Sequence, residues 1–454
     1  MNAIKKRASR ACLAWLGAIF CSQWITTAAW AVLPIEHWQA PSGAQVWLVH
    51  SPGIPMVDVH VAFDAGRRRD GPEHIGLAQA AALMSSKGVQ ASEGAPALDE
   101  NALGEAWADL GASFGAEAGR DSFSYSLRSL TQPELLARAA DLAARQMGQP
   151  SWPADVWSNE RERWAASLRE ADTRPATVAN KALVRALYGD HPYGYQVTPA
   201  SLARIQPGDL QAWHQRLVLA CRAKVSIVGA LDRGQAQALV DRLLARLPKR
   251  SGADCAPLPA LADAPDLTAA QQLDLSFASA QAQVLLGHVG ITRKDPDYLA
   301  LLVGNHMLGG GGFTSRLTEE VREKRGLTYG VYSYFSPGLN RGAFVISLQT
   351  RPDQAAQALQ VTRDTLARYV AEGPSEQELR AAKDFLIGSF ALRLDSNRKL
   401  LGQVAELAWF DLPLNELEDW TARVQALTVE QVRSALQRHV HPERMVTVVL
   451  GAQP

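Results

Sequence analysis

Arg322 and Tyr329 stand seven residues apart in the stretch Leu308-Gly-Gly-Gly-Gly-Phe-Thr-Ser-Arg-Leu-Thr-Glu-Glu-Val-Arg-Glu-Lys-Arg-Gly-Leu-Thr-Tyr329. A guanidinium offers a planar fork of donors and a phenol offers one more. Placed together, they can hold a peptide carbonyl or the oxyanion formed from it. The elements around them must set that geometry. Gly309, Gly310, Gly311 and Gly312 lack Cβ atoms, so another backbone can approach closely there. Ser315 is suited to cap a helix, with Glu319 and Glu320 near its positive start. Lys324 and Arg325 suit the C-terminus, and Gly326 fits a left-handed stop. The run from Thr328 to Phe335 then has strand chemistry, so Arg322 and Tyr329 flank one tight turn. The plainer alternative is an ordinary helix-to-strand junction with a surface arginine and a core tyrosine.

The 454 residues suffice for two to four domains of usual size, and 47% hydrophobic with 20% charged residues is ordinary for a globular chain. The formal net charge is zero and there is no long basic block, which argues against nucleic acid as a partner. The N-terminus differs from the rest. Lys5, Lys6, Arg7 and Arg10 precede an uncharged run from Ala11 to Ile35, and Ala29-Trp30-Ala31 fits a small-x-small cleavage site. Residues 1–31 therefore read as a secretory signal peptide, with an uncleaved membrane anchor as the runner-up. Cleavage removes four of the 46 basic residues and none of the 46 acidic ones, leaving a mildly acidic chain with no later membrane-spanning run. The expected address is the periplasm or another exported compartment. Of four cysteines, Cys12 and Cys21 leave with the signal, while Cys221 and Cys255 remain as either a disulfide or two buried thiols.

Hydrophobic periodicity organises the remainder. Strands are expected at 44–50 and 55–65, the latter with Val57, Val59, Val61 and Phe63 on one inner face. Arg67-Arg-Arg-Asp70 reads as a solvated charged turn. Helices are expected at 75–86, 100–110, 133–147, 153–172, 175–187, 207–218 and 233–247, with a hairpin at 112–127 and a strand at 223–230. Proline-rich residues 249–270 form the expected linker. Beyond it come strands at 273–277 and 282–287, a helix at 297–308 and a strand at 342–349. A helix at 353–372, a long helical region at 375–410, two further helices and a strand at 445–450 complete the pattern. Residues 205–230 align without gaps on 427–452, with six identities in 26 positions and the same order of elements. The expected fold is α+β: two homologous domains, 32–248 and 271–454, each a mixed sheet packed with helices.

The stretch at 308–329 resembles the C-terminal-domain signature of the pitrilysin/insulysin/mitochondrial-processing-peptidase family, the inverzincin metallopeptidases, which carries an S-R-L…R-E-K-x-G-L-x-Y run there. The resemblance implies two homologous α+β domains forming half of a clamshell. It also implies that Arg322 and Tyr329 assist substrate binding and the transition state, with Gly309, Gly310, Gly311, Gly312 and Phe313 beside the extended substrate. The family's first domain should carry H-x-x-E-H within a G-L-A-H-x-x-E-H-M-x-x-x-G helix. There, two histidines one turn apart bind zinc and the glutamate is the general base. This chain keeps the frame as Gly76-Leu-Ala-Gln-Ala-Ala-Ala-Leu-Met-Ser-Ser-Lys-Gly88, but has Gln79, Ala82 and Leu83 at the reactive positions. The third ligand should come from a later helix, where Glu160 and Glu162 are followed seven residues on by Ser167 and Arg169. His439 and His441 have no evident acidic partner in sequence, and His191-Pro-Tyr-Gly194 resembles a family loop that shapes the first domain.

These features imply a chain with no metal of its own. The leading expectation is a non-catalytic subunit of an exported heterodimeric zinc peptidase. It would lend Arg322 and Tyr329 to a homologous partner that bears H-x-x-E-H and zinc, and the substrate would be a peptide. A peptide-binding or assembly scaffold without a proteolytic role is the alternative, and independent peptidase activity has little support in the motifs. Homodimer and heterodimer stay open at this level.

Overall fold

The computed structural model describes residues 34–451, so the expected signal peptide and Cys12 and Cys21 lie outside the described residues. The strands are β1 (Ile35–Gln39), β2 (Gln45–His50) and β3 (Met56–Phe63), a small ladder of β4 (Gly88–Val89) and β5 (Leu98–Asp99), then β6 (Ser113–Ala118), β7 (Phe123–Leu130) and β8 (Lys224–Gly229). The second half supplies β9 (Gln271–Leu275), β10 (Ala282–Val289), β11 (Val331–Phe335), β12 (Ala343–Thr350) and β13 (Val446–Leu450). One sheet runs β1-β2-β8-β3-β7-β6 and the other β11-β12-β10-β13-β9.

Read in opposite directions, the two sheets share one pairing scheme. β2 is parallel to β8, as β9 is to β13. β3 lies antiparallel between β7 and β8, as β10 lies between β12 and β13. The edge strands β6 and β11 pair antiparallel with β7 and β12. The first sheet adds only β1, which the periodicity did not reveal. The aligned repeat segments also coincide: helices Pro207–Leu217 and Val429–His439, then short turns Ala220–Arg222 and Pro442–Arg444, are each displaced by 222 residues. This is the two-fold α+β architecture expected from the sequence.

The halves interlock by exchanging helices. The Pro175–Tyr188 helix of the first half packs on β10 and β13, burying Ala179, Leu183, Leu187 and Tyr188 against Leu285, Val289, Val446 and Val448. The Asn397–Trp409 helix of the second half packs on β8 and β3 in return. Lys224 Nζ crosses to that helix's C-terminus, donating to Ala408 O at 2.9 Å and Trp409 O at 3.1 Å, where a cation complements unpaired carbonyls. The His191-Pro-Tyr-Gly194 loop is a second clasp. Tyr193 Oη donates to Asp121 at 2.6 Å and accepts from Asn340 N at 3.0 Å, and Arg120 lies 4.2 Å over the Tyr193 ring while binding Ser336 O and Pro337 O.

Several local expectations are corrected. Arg67–Asp70 is no solvated turn: Arg68 and Asp70 are each 5% exposed. Arg68 pairs with Asp64 at 2.7 Å and Asp121 at 3.3 Å. The Asp70 carboxylate accepts from Gly76 N and Ala78 N at the start of the Leu77–Met84 helix, and burial pushes its pKa up to about 6. β3 has two covered faces, because the exchanged 397–409 helix lies across it. Asp58 is buried against Arg128, with Nε–Oδ1 at 2.6 Å. The long helical region at 375–410 is Glu376–Gly388, a short turn at Phe390–Arg393, and Asn397–Trp409, with Ser396 capping the last helix. Cys221 and Cys255 form a disulfide that ties the start of the 249–270 segment to the first half, with Cα atoms 5.6 Å apart. Among the described residues no helix is long and apolar enough to cross a membrane.

Candidate functional site

The 308–329 stretch is more tightly wound into the fold than its sequence signals. The Tyr298–Asn305 helix continues as a π turn over His306–Gly310, and a second π segment covers Thr318–Glu323. Such widened turns recur at functional sites because they re-aim side chains without ending the helix. Ser315 holds the extended conformation of a cap, but its hydroxyl bonds Gly312 O and Thr318 Oγ1 and caps no amide. The cap expectation is met in position and corrected in chemistry.

The glycines serve the chain's own packing first. A Cβ on Gly309 would lie 2.5 Å from Ser333 Oγ, one on Gly310 2.8 Å from Asn305 Nδ2, and one on Gly311 2.7 Å from His306 O. Asn305 and Ser333 clamp this approach, with Asn305 Nδ2 donating to Ser333 O at 2.9 Å and Ser333 Oγ to Asn305 Oδ1 at 2.7 Å. Only Gly312, at φ +62°, has open space around it, next to the 72% exposed Phe313.

Arg316, passed over in the motif, fixes the segment that bears Arg322. Its guanidinium meets Glu378 with Nε at 2.6 Å and Nη2 at 2.8 Å, donates to Gly373 O, and lies 4.7 Å over the Tyr369 ring. Burial acts to raise the Glu378 carboxyl, but the Arg316 fork and Ser375 outweigh it and hold it at about 2. Planar bidentate pairing orients as well as binds. Lys324 and Arg325 both bond Glu320, and Gly326 takes φ +62°.

The turn that follows is pinned to β12. Thr328 Oγ1 donates to Gln349 O at 2.6 Å, and Thr350 Oγ1 to Leu327 O at 2.5 Å. These clips delay the strand to Val331, so Tyr329 sits in the turn instead of the expected strand. Its ring is 87% exposed, which removes the core-tyrosine alternative. Arg322 lies with its guanidinium carbon 4.6 Å over the Phe313 ring, its Nε 3.4 Å from Glu323. Arg322 and Tyr329 line one cleft of about 430 Å³ with Glu323, Arg351 and Gln354. The structure thus brings Arg322, Tyr329 and Phe313 to one surface and turns Gly309, Gly310 and Gly311 to its support.

The emptied helix, Leu77–Met84, does not suit zinc. Gln79, Ala82 and Leu83 supply a single neutral amide oxygen in place of the nitrogen, thiolate or carboxylate donors that zinc prefers. That Gln79 oxygen is buried with no hydrogen-bond partner. Glu160, on the helix where the resemblance places a third ligand, is held by Lys87 Nζ at 3.1 Å, which also binds Glu100 at 2.7 Å. An ammonium thus occupies the carboxylate. Among the described residues, one group of three could geometrically ligate a cation: Asp295, Asp297 and His439. Arg438 already grips Asp297 with bonds of 2.8 and 2.9 Å, and His439 Nε2 lies 2.8 Å from the same carboxylate, so the group is a closed charge network. His439 therefore has the acidic partner that its sequence neighbours did not reveal.

Comparison with known proteins agrees with the two-half fold. Residues 204–386 match the family described as Peptidase M16 inactive domain. The chain is 36% identical to a solved peptidase M16 inactive domain from Pseudomonas fluorescens, with a TM-score of 0.87 over 93% of this chain and 99% of that one. It is 26% identical over 416 residues to an uncharacterized zinc protease of Mycobacterium leprae, covering 90% of each. The periplasmic protease PqqL of Escherichia coli shares the fold at 19% identity and a TM-score of 0.78, over 93% of this chain and 46% of PqqL. The likeness to the Pseudomonas structure extends over nearly all of both chains: the chain belongs to the M16 peptidase family, the pitrilysin/insulysin/mitochondrial-processing-peptidase family of the signature at 308–329.

Proposed function

We propose that this chain is the non-catalytic subunit of an exported, heterodimeric zinc metallopeptidase, supplying Arg322 and Tyr329 to peptide hydrolysis at a homologous partner's zinc site. The observation that carries the reading is a pairing of opposites. The metal-binding frame holds Gln79, Ala82 and Leu83, while Tyr329 is 87% exposed on the same cleft as Arg322. A phenol so exposed contributes little to folding, and a partner or substrate gives it a purpose. The partner's zinc would activate the attacking water. On this chain, the Arg322 fork would hold the substrate carbonyl, and the Tyr329 hydroxyl would donate to the oxyanion as it forms. Gly312 and Phe313 would border the extended substrate. The Cys221–Cys255 disulfide supports an oxidising, exported address.

The test is co-purification with a zinc-bearing homologue and peptide cleavage by the complex. Tyr329→Phe and Arg322→Ala should each lower kcat by on the order of 10²–10³ while assembly and melting temperature hold. Cleavage undiminished in both variants removes the proposed role. A scaffold that binds peptides or assembles complexes is the second reading. It gains if peptides bind but no complex cuts them.

A further inference from the structure

A second cleft opens on the other side of Tyr329. About 450 Å³ in volume, it is bounded by Asn180, Gln283, Leu285, Tyr332 and Ser347, and it shares Gln281, Thr328, Tyr329 and Gln349 with the Arg322 cleft. Its floor is one face of the second sheet. The β10–β12 register sets Gln283 opposite Gln349 and Leu285 opposite Ser347, and the β11–β12 register adds Tyr332 beside Ser347. The exchanged Pro175–Tyr188 helix packs on β10 and β13, and its Ala176 and Asn180 form the wall of the part left open.

The lining contains no charged side chain: it is amides, hydroxyls, two phenols and leucine. The Arg322 cleft, by contrast, carries Arg322, Glu323 and Arg351. Gln283 is only 7% exposed, and the part of it that is open lines this cleft. A ligand amide or hydroxyl can replace water at this side chain with a hydrogen bond of similar strength. A charged side chain entering here would meet no counter-charge in the lining, whereas an amide or hydroxyl would exchange water bonds for equivalent ones.

From this we infer that the Asn180–Gln283–Gln349 cleft is a specificity subsite, accepting an uncharged polar side chain of a peptide that runs past Tyr329. The inference rests on the peptide-holding reading above and adds the side-chain class that this half selects. The two clefts meet at Tyr329, so an extended peptide places neighbouring side chains in a neutral site on one side and a charged site on the other.

The experiment is binding of the purified chain to an immobilised hexapeptide library, wild type against Asn180→Asp, since Asn180 lines this cleft and not the Arg322 cleft. Asn180 is exposed, so the variant keeps its fold. Wild type should prefer Gln, Asn, Ser or Thr over Lys, Arg, Asp and Glu at one position by about tenfold. The variant should turn that same position toward Lys and Arg by a similar factor and leave the other positions alone. Binding with the position unchanged in the variant, or with charged residues accepted equally by wild type, overturns the subsite while the Arg322/Tyr329 reading stands. No peptide capture by wild type overturns the subsite; cleavage by the assembled complex then judges the Arg322/Tyr329 reading separately.

Discussion

Removing the Cys221–Cys255 bond tests how the segment between the halves is held. The bond closes a 34-residue loop that contains the Lys224–Gly229 strand and the Arg233–Leu244 helix. Freed from the cross-link, the unfolded chain regains loop entropy. The chain-entropy relation for a loop of about 34 residues gives roughly 3.8 kcal/mol at 25 °C. With an unfolding entropy of about 2.1 cal/mol/K per residue over ~420 residues, that loss lowers the melting temperature by roughly 4 °C. The comparison is Cys221→Ser/Cys255→Ser against wild type, both without residues 1–31, by calorimetry with and without reductant. Reductant should bring wild type down to the variant and leave the variant unmoved. Two reactive thiols in native, unreduced wild type, or identical melting of the two proteins without reductant, would refute the reasoning. The Cys221 Cβ sits 3.0 Å from where a Gly43 Cβ would be, so serine at Cys221 fits the space with no added bulk.

Two further outcomes follow from the interlocked halves and the buried histidines. Leu183→Ala should cost about 2–5 kcal/mol, since this 1% exposed side chain belongs to the first half but fills the second sheet's surface near Gly287. Urea unfolding should then stay a single transition at a lower midpoint, and separate transitions for the halves would contradict the exchange of helices. His214 and His288, 4% and 3% exposed, are pushed down to about 4 by burial. Their folded values lie below the unfolded 6.5, so the stability they confer is present above pH 6.5 and is lost as pH falls toward 4. Each contributes roughly 3 kcal/mol at neutral pH. Urea midpoints measured from pH 7.5 to pH 4.5 should fall across that window, less steeply in His214→Gln, and a flat profile would contradict it.

Legibility of the chain followed the range of the interactions involved. Strands β3, β7, β8 and β12 and most helices show in the periodicity because their patterns are local consequences of one buried face. The duplicated fold shows too, since the 205–230 and 427–452 segments kept the order helix, turn, strand, Gly-Ala. The emptied Gln79, Ala82 and Leu83 are visible because metal ligation demands particular side chains at fixed helical spacing. Arg322 and Tyr329 are visible for the same reason, within one turn of chain.

What the sequence could not display is which distant groups meet. The burial of Arg68 and Asp70 depends on Asp64, Asp121 and the start of the 77–84 helix, so a charged run that reads as solvated became a capped, paired core. The second face of β3 is covered by a helix more than 330 residues later, and no local pattern announces it. Tyr329 left its expected strand because Thr328 and Thr350 bond across to neighbouring backbone, and Arg316 gained its orienting role from Glu378, 62 residues away. The sequence by itself determined the duplicated α+β architecture, the missing zinc ligands and the Arg322/Tyr329 spacing, because short-range stereochemistry governs each. The tertiary structure alone decided the exchange of helices, the disulfide, and the meeting of two clefts at Tyr329. Those depend on long-range contacts whose partners the chain brings together only when it folds.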